Sequence, residues 1–92
     1  MMHYLIAYDI AENRIRSRVA KLLEKRGRRL QYSVFYADLA ERECQGLWQE
    51  LQQLIENAER PLLLVAPLCS ACYGRILMTG EPMEKERAYI VA

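Results

Sequence analysis

Tyr4-Leu5-Ile6-Ala7-Tyr8-Asp9-Ile10 is a short apolar run, aromatic and branched, with one carboxylate near its end. A run of this length and composition reads as a β-strand with both faces covered. Asp9 then stands where the strand leaves the core, desolvated on one side and reachable on the other. A carboxylate there has two readings. It starts the helix that follows, as strand-end aspartates commonly do, or it offers hard oxygen donors to a divalent cation.

Beyond this strand, Glu12-Asn13 precede Ile15, Val19, Leu22 and Leu23 at helical spacing, and Asn13 is the expected N-cap. Gly27, preceded by Lys25 and Arg26, closes that helix, since cations suit the negative end of the dipole. Its other face carries Arg14, Arg18, Lys21 and Lys25 at spacings of three and four. Residues 28–39 alternate and are aromatic and branched, so they are strand. They read equally as one long strand or as two short ones bent near Tyr32-Ser33. Residues 40–58 give the clearest helix, with Cys44, Leu47, Trp48, Leu51, Leu54, Ile55 and Ala58 on one stripe. Residues 62–68 form a second buried strand, and Pro67 places its far end at an edge or a chain exit. A turn at 69–74, a strand-like run at 75–80, a charged connection at 81–87 and a short last strand at 88–91 complete the pattern.

Ninety-two residues make one domain, residues 1–92. Two helices cover only one face of a sheet this size. The bare face carries Tyr32, Tyr36 or Phe35, and Leu64, according to register. An apolar fraction of 52% is high for so short a chain and points to a second copy over that face. The formal net charge is +1, but it is split. Residues 1–30 hold Arg14, Arg16, Arg18, Lys21, Lys25, Arg26, Arg28 and Arg29 against Asp9, Glu12 and Glu24, whereas the rest is acidic. An anionic partner for one face follows, the more so because no repeating acid–base spacing absorbs these cations. No export signal and no membrane-length run is present, so a cytoplasmic chain with reduced thiols is expected.

Tyr8-Asp9-Ile10, then Arg16, Arg18, Val19, Gly27, Arg29, Gln31 and above all Ser33-Val34-Phe35, resemble the CRISPR-associated Cas-two family. Pro67-Leu68-Cys69 and Arg75-Ile76 through Gly80 extend the resemblance over nearly the whole chain. It implies an α+β, ferredoxin-like βαββαβ sandwich, with residues 28–39 split in two around Tyr32-Ser33. It also implies a homodimer packed sheet against sheet, with C-terminal strand exchanged between copies. The implied role is spacer acquisition beside the integrase Cas-one. The implied activity is a magnesium-dependent, or manganese-dependent, endonuclease on RNA or double-stranded DNA. The alternative is a non-catalytic dimeric scaffold that bridges the integrase and clamps duplex DNA, with residues 88–91 as a docking strand. A third reading, a small-molecule regulatory domain of the same fold, explains a dimer but not the basic stripe.

By the same resemblance Asp9 is the catalytic and metal-holding acid, paired with its twin across the dimer axis. Two carboxylates hold one hard cation with water in the remaining positions. Arg16, Arg18 and Arg29 match the family's basic positions, and their planar forks suit phosphate oxygens. Tyr8 and Phe35 match aromatics near the aspartate, able to stack on a base or to pack in the core. Ser33 caps the bend. Cys69 and Cys72, two residues apart, lack the further ligands of a structural zinc site and read as small buried residues. No cofactor-binding glycine loop is present.

Overall fold

The computed structural model describes residues 2–83. The last strand expected at 88–91, and docking by strand addition with it, lies outside the described residues. The elements are β1 (Met2–Asp9), α1 (Asn13–Arg26), β2 (Arg28–Gln31), β3 (Val34–Leu39), α2 (Glu41–Leu54), β4 (Leu62–Leu68) and α3 (Ser70–Tyr73). The four strands form one antiparallel sheet in the order β2-β3-β1-β4. This is the ferredoxin-like arrangement, with the opening apolar run at its centre. Pro67 lies on β4, an edge strand, where its missing N–H leaves no gap in the sheet interior.

Register decides which residues share a face. Tyr4 lies opposite Ala37 and Ile6 opposite Phe35, and these join Tyr8 and Leu39 under the two long helices. Val19 and Leu23 of α1 and Leu47 and Leu51 of α2 close over them, all essentially buried. At about 1.5–3 kcal/mol for each large apolar side chain removed from water, this layer holds the chain together. The other face carries Leu5, Ala7, Val34 and Leu64, paired Leu5 with Tyr36 and Ala7 with both Val34 and Leu64. No helix of the long pair covers it, and Leu64 is 53% exposed. Tyr36 is the exception on this face. His3 accepts or shares a 2.6 Å hydrogen bond with its hydroxyl, and Tyr73 of α3 stacks on His3 at 3.9 Å. So Tyr36 and Leu64 belong to the bare face as expected, and Phe35 belongs to the core.

Residues 28–39 are two strands, with Tyr32-Ser33 as the turn. Neither turn residue has a positive φ, which the twist-matched two-residue hairpin turns require. A register shift between Arg29 and Gln31 absorbs the mismatch. Gly27, just before β2, has an extended φ of −158° that any residue adopts. Its glycine is required by proximity, since a Cβ there would overlap the Tyr36 carbonyl oxygen and meet the Ala37 Cβ at 3.1 Å.

Four expectations need correction. Glu12, not Asn13, is the N-cap of α1, and it makes no side-chain cap bond. The Asn13 side chain is instead engaged by the Arg16 guanidinium. Helix α2 ends at Leu54 rather than Ala58, and residues 55–57 turn away toward β4. Its start is held by Glu43, whose carboxylate accepts the Ala40 N–H at 2.8 Å. Trp48 leaves the apolar stripe and stands 39% exposed. Finally, residues 69–74 contain the one-turn helix α3, and 75–80 make no strand among the described residues. A strand needs a neighbour to bond, and within one chain the run finds none. This end meets the sheet where the Met83 N–H donates to the Leu30 carbonyl at 3.1 Å.

Candidate nucleic-acid and metal site

Asp9 is the last residue of β1, opposite Leu62, and its side chain is exposed at the end of the sheet. It lines an open depression of about 320 Å³ together with Tyr8, Arg16, Arg29, Tyr32 and Ser33. The fold therefore brings Asp9, Arg16, Arg29 and Tyr8 to one place from β1, α1 and β2. Arg18 and Phe35 are not part of it. Arg18 is exposed on α1, in the row with Arg14, Lys21 and Lys25.

Each cation is held differently. Arg16 donates to the carbonyls of Ile10 at 2.9 Å and Ala11 at 3.3 Å, clamping the link between β1 and α1. Arg29 donates to Glu24 at 3.3 Å, and its guanidinium lies over the Phe35 ring, 5.1 Å from the centroid. Its Nε is buried with no acceptor. Arg26 meets Glu50 at 3.5 Å. Two of the early cations thus do have carboxylate partners, against the expectation that internal pairing absorbs none. Arg29 reaches back from β2 to Glu24 of α1, and Arg26 reaches across to Glu50 of α2, spacings that no repeat reveals. Both pairs are solvent-exposed at the carboxylate, where such bridges contribute about 0–1 kcal/mol. They leave the positive field of α1 in place.

Of the two roles open to Tyr8 and Phe35, packing in the core is the one the fold supports. Phe35 is fully buried, and Tyr8 is 4% exposed with its hydroxyl donating to the Tyr32 carbonyl at 3.1 Å. Neither ring offers a face to a base. Both pack in the core, 6.3 Å apart by centroid. Tyr32 presents what they do not. It is 76% exposed at the tip of the β2–β3 turn and lines the same depression. The signal was an aromatic residue in a two-residue turn, where glycine, asparagine and aspartate normally stand. Ser33 stands in the turn, and its backbone carbonyl accepts the Tyr8 N–H at 3.1 Å.

Among the described residues no three His, Cys, Asp or Glu side chains gather as a metal cage. Asp9 supplies one accessible carboxylate per chain. That fits magnesium, which binds through one or two carboxylates and keeps most of its water. It does not fit a cation that needs a full protein shell. Cys69 and Cys72 are exposed, not buried, because α3 lies outside the core.

The family model described as CRISPR associated protein Cas2 matches residues 2–76. A Chloroflexus aurantiacus protein named CRISPR-associated endoribonuclease Cas2 1 is 38% identical over 93 aligned positions, covering 98% of this chain and 100% of that protein. A Thermus thermophilus CRISPR-associated endoribonuclease Cas2 is 39% identical, covering 87% of this chain and 84% of its own. Among solved structures, Streptococcus pyogenes Cas2 at pH 6.5 superposes with a TM-score of 0.73 at 26% identity, covering 86% of this chain and 100% of that one. A chain of a partial Cas6-RT-Cas1–Cas2 complex gives 0.75 at 27% identity, covering 92% and 99%. The chain belongs to the CRISPR-associated Cas2 family, the Cas-two family of the sequence resemblance.

Proposed function

On that membership we propose that this Cas2 protein is a homodimeric endonuclease of CRISPR adaptation. It grips a nucleic-acid backbone along α1 and hydrolyses phosphodiesters beside Asp9, in company with a Cas1 integrase. The observation that carries the reading is the depression that gathers Asp9, Arg16 and Arg29 below an exposed aromatic turn. The relatives' name, endoribonuclease, puts RNA first among substrates, and the neighbour taken from a Cas1–Cas2 complex supports the partner.

The bare face of the sheet seats the second copy, and two chains then contribute two Asp9 carboxylates to one magnesium or manganese ion. When bound, such a cation polarises a phosphate and lowers the pKa of a coordinated water. The remaining work falls to the chain itself. Arg29 lines the depression, and its planar guanidinium suits a phosphate oxygen bound there. Arg14, Arg18, Lys21 and Lys25 track the backbone without reading sequence. Tyr32 stacks on an unpaired base, which favours single-stranded substrate at the cleft.

Asp9→Asn and Asp9→Ala test the reading in cleavage of RNA and duplex DNA with magnesium or manganese. The expected loss is roughly a hundredfold or more. Unchanged cleavage would assign the activity to another site or to a contaminant. A second reading, the non-catalytic scaffold, is favoured by the thin ligand set of one carboxylate per chain. Spacer acquisition that survives Asp9→Ala, with no cleavage by the unaltered protein, would select it.

A further inference from the structure

Cys69 and Cys72 take no part in the site at Asp9. Cys69 is the residue that caps α3, and Cys72 is the third residue of its single turn. Cys69 has extended backbone, so the pair stands at the N-cap and N3 positions, which face each other across the first turn of a helix. A disulfide needs Cβ atoms about 3.5–4.5 Å apart. Both side chains are exposed, and the third thiol, Cys44, is half-buried on α2.

The Cys69 sulfur draws hydrogen bonds from the N–H of Cys72 first, then from the Cys72 thiol and the N–H of Ala71. These bonds hold the Cys69 thiol below its ordinary value, whereas the hydrogen bond with Cys69 and its negative charge push Cys72 up. The turn itself is fixed, with Tyr73 N–H bonded to the Cys69 carbonyl at 2.8 Å and Gly74 N–H to the Ser70 carbonyl at 3.0 Å. An attacking thiol, a neutral resolving thiol three residues on, and open access to both are what thiol–disulfide exchange requires.

We propose that Cys69 and Cys72 form a redox-active dithiol that is oxidised by small-molecule disulfides, with Cys69 attacking and Cys72 resolving. The Cys69 thiolate attacks one sulfur of the disulfide RSSR. That S–S bond breaks, and the departing thiolate takes up a proton to leave as RSH. Cys72 then loses its proton and attacks the Cys69 sulfur, which expels the second RSH and closes the Cys69–Cys72 bond. Two cysteine thiols are oxidised and one disulfide is reduced to two thiols. The bond locks α3, which is the root of residues 75–83 and carries the Tyr73 ring over His3.

The test uses the full chain, unaltered and with Cys44→Ser, equilibrated in glutathione buffers of stepped ratio. Free thiols are alkylated and the peptides mapped by mass spectrometry. Both thiols at 69 and 72 disappear together, in one intramolecular bridge, as the buffer becomes more oxidising. In the Cys44→Ser background, Cys72→Ser accumulates a mixed glutathione disulfide on Cys69, and Cys69→Ser reacts about tenfold more slowly at neutral pH. Alkylation of Cys69 rises with pH before that of Cys72. Thiols that persist through the whole series, bridges only between chains, or equal rates for the two single-thiol variants would overturn the proposal. So would tight binding of zinc by the pair with resistance to oxidation.

Discussion

The two faces of the sheet are built from the same kinds of residue and meet opposite fates. Under the helices, Ile6 and Phe35 are wholly buried. On the reverse face Leu5, Ala7 and Val34 are only half-covered, and Leu64 is more than half in water. Neither composition nor alternation separates the two sets. What separates them is that one set has elements of its own chain to meet and the other does not. An apolar face that its own chain leaves bare has the character of an interface. The comparison places stability on one side of the sheet and leaves the other free for the second copy of the proposed dimer.

Four substitutions break or sharpen that division. Phe35→Ala removes a ring from the closed side and should cost about 3–5 kcal/mol of stability in urea unfolding. A cost under about 1 kcal/mol would mean that the helix layer is not the seat of folding. Leu64→Glu puts a charge on the open side. It should weaken self-association by roughly 2 kcal/mol or more in analytical ultracentrifugation, with little change in the unfolding of the dilute chain. Unaltered association would move the interface elsewhere. Arg18→Ala, on the outer surface of the helix layer, should weaken nucleic-acid binding by about 1 kcal/mol for all sequences alike and lower the salt slope by about one. A sequence-dependent loss would contradict a backbone role. Arg26→Ala breaks the exposed pair with Glu50 and should shift stability by no more than about 0.5 kcal/mol. A larger shift would show that this pair ties the helices together.

Much of the fold was readable because β1 and β4 announce themselves as apolar runs bounded by a carboxylate and a proline, and α1 as an amphipathic stretch closed by a glycine. Alternation left the hairpin in residues 28–39 open, since Tyr32-Ser33 lacks the glycine or asparagine that would mark a two-residue turn, and the family resemblance chose the split that the fold shows. The run at 75–80 has strand character but no strand partner within the chain, and pairing is not a property of a segment alone. In the site, Asp9 and Arg29 were reached through the family resemblance, and spacing alone would have left Asp9 a turn residue. Of the two roles open to Tyr8 and Phe35, stacking on a base or packing in the core, both rings take the second, and only Tyr8 lines the depression at Asp9. A shift of one residue in register turns a strand aromatic from surface to core. The hold of Arg16 on Ile10 and Ala11 was out of reach, because backbone carbonyls carry no signature in a sequence.

Gly27 sets a distance by what it lacks. With no side chain between them, the end of α1 sits against the backbone of β3 closer than a methyl group permits. That close approach fixes the C-terminal end of the cationic helix against the sheet, as buried Val19 and Leu23 and the Arg16 clamp fix the rest of it. Adding one carbon at position 27 would act as a wedge at the hinge end of a lever, displacing a row of positive charges whose own residues had not been touched.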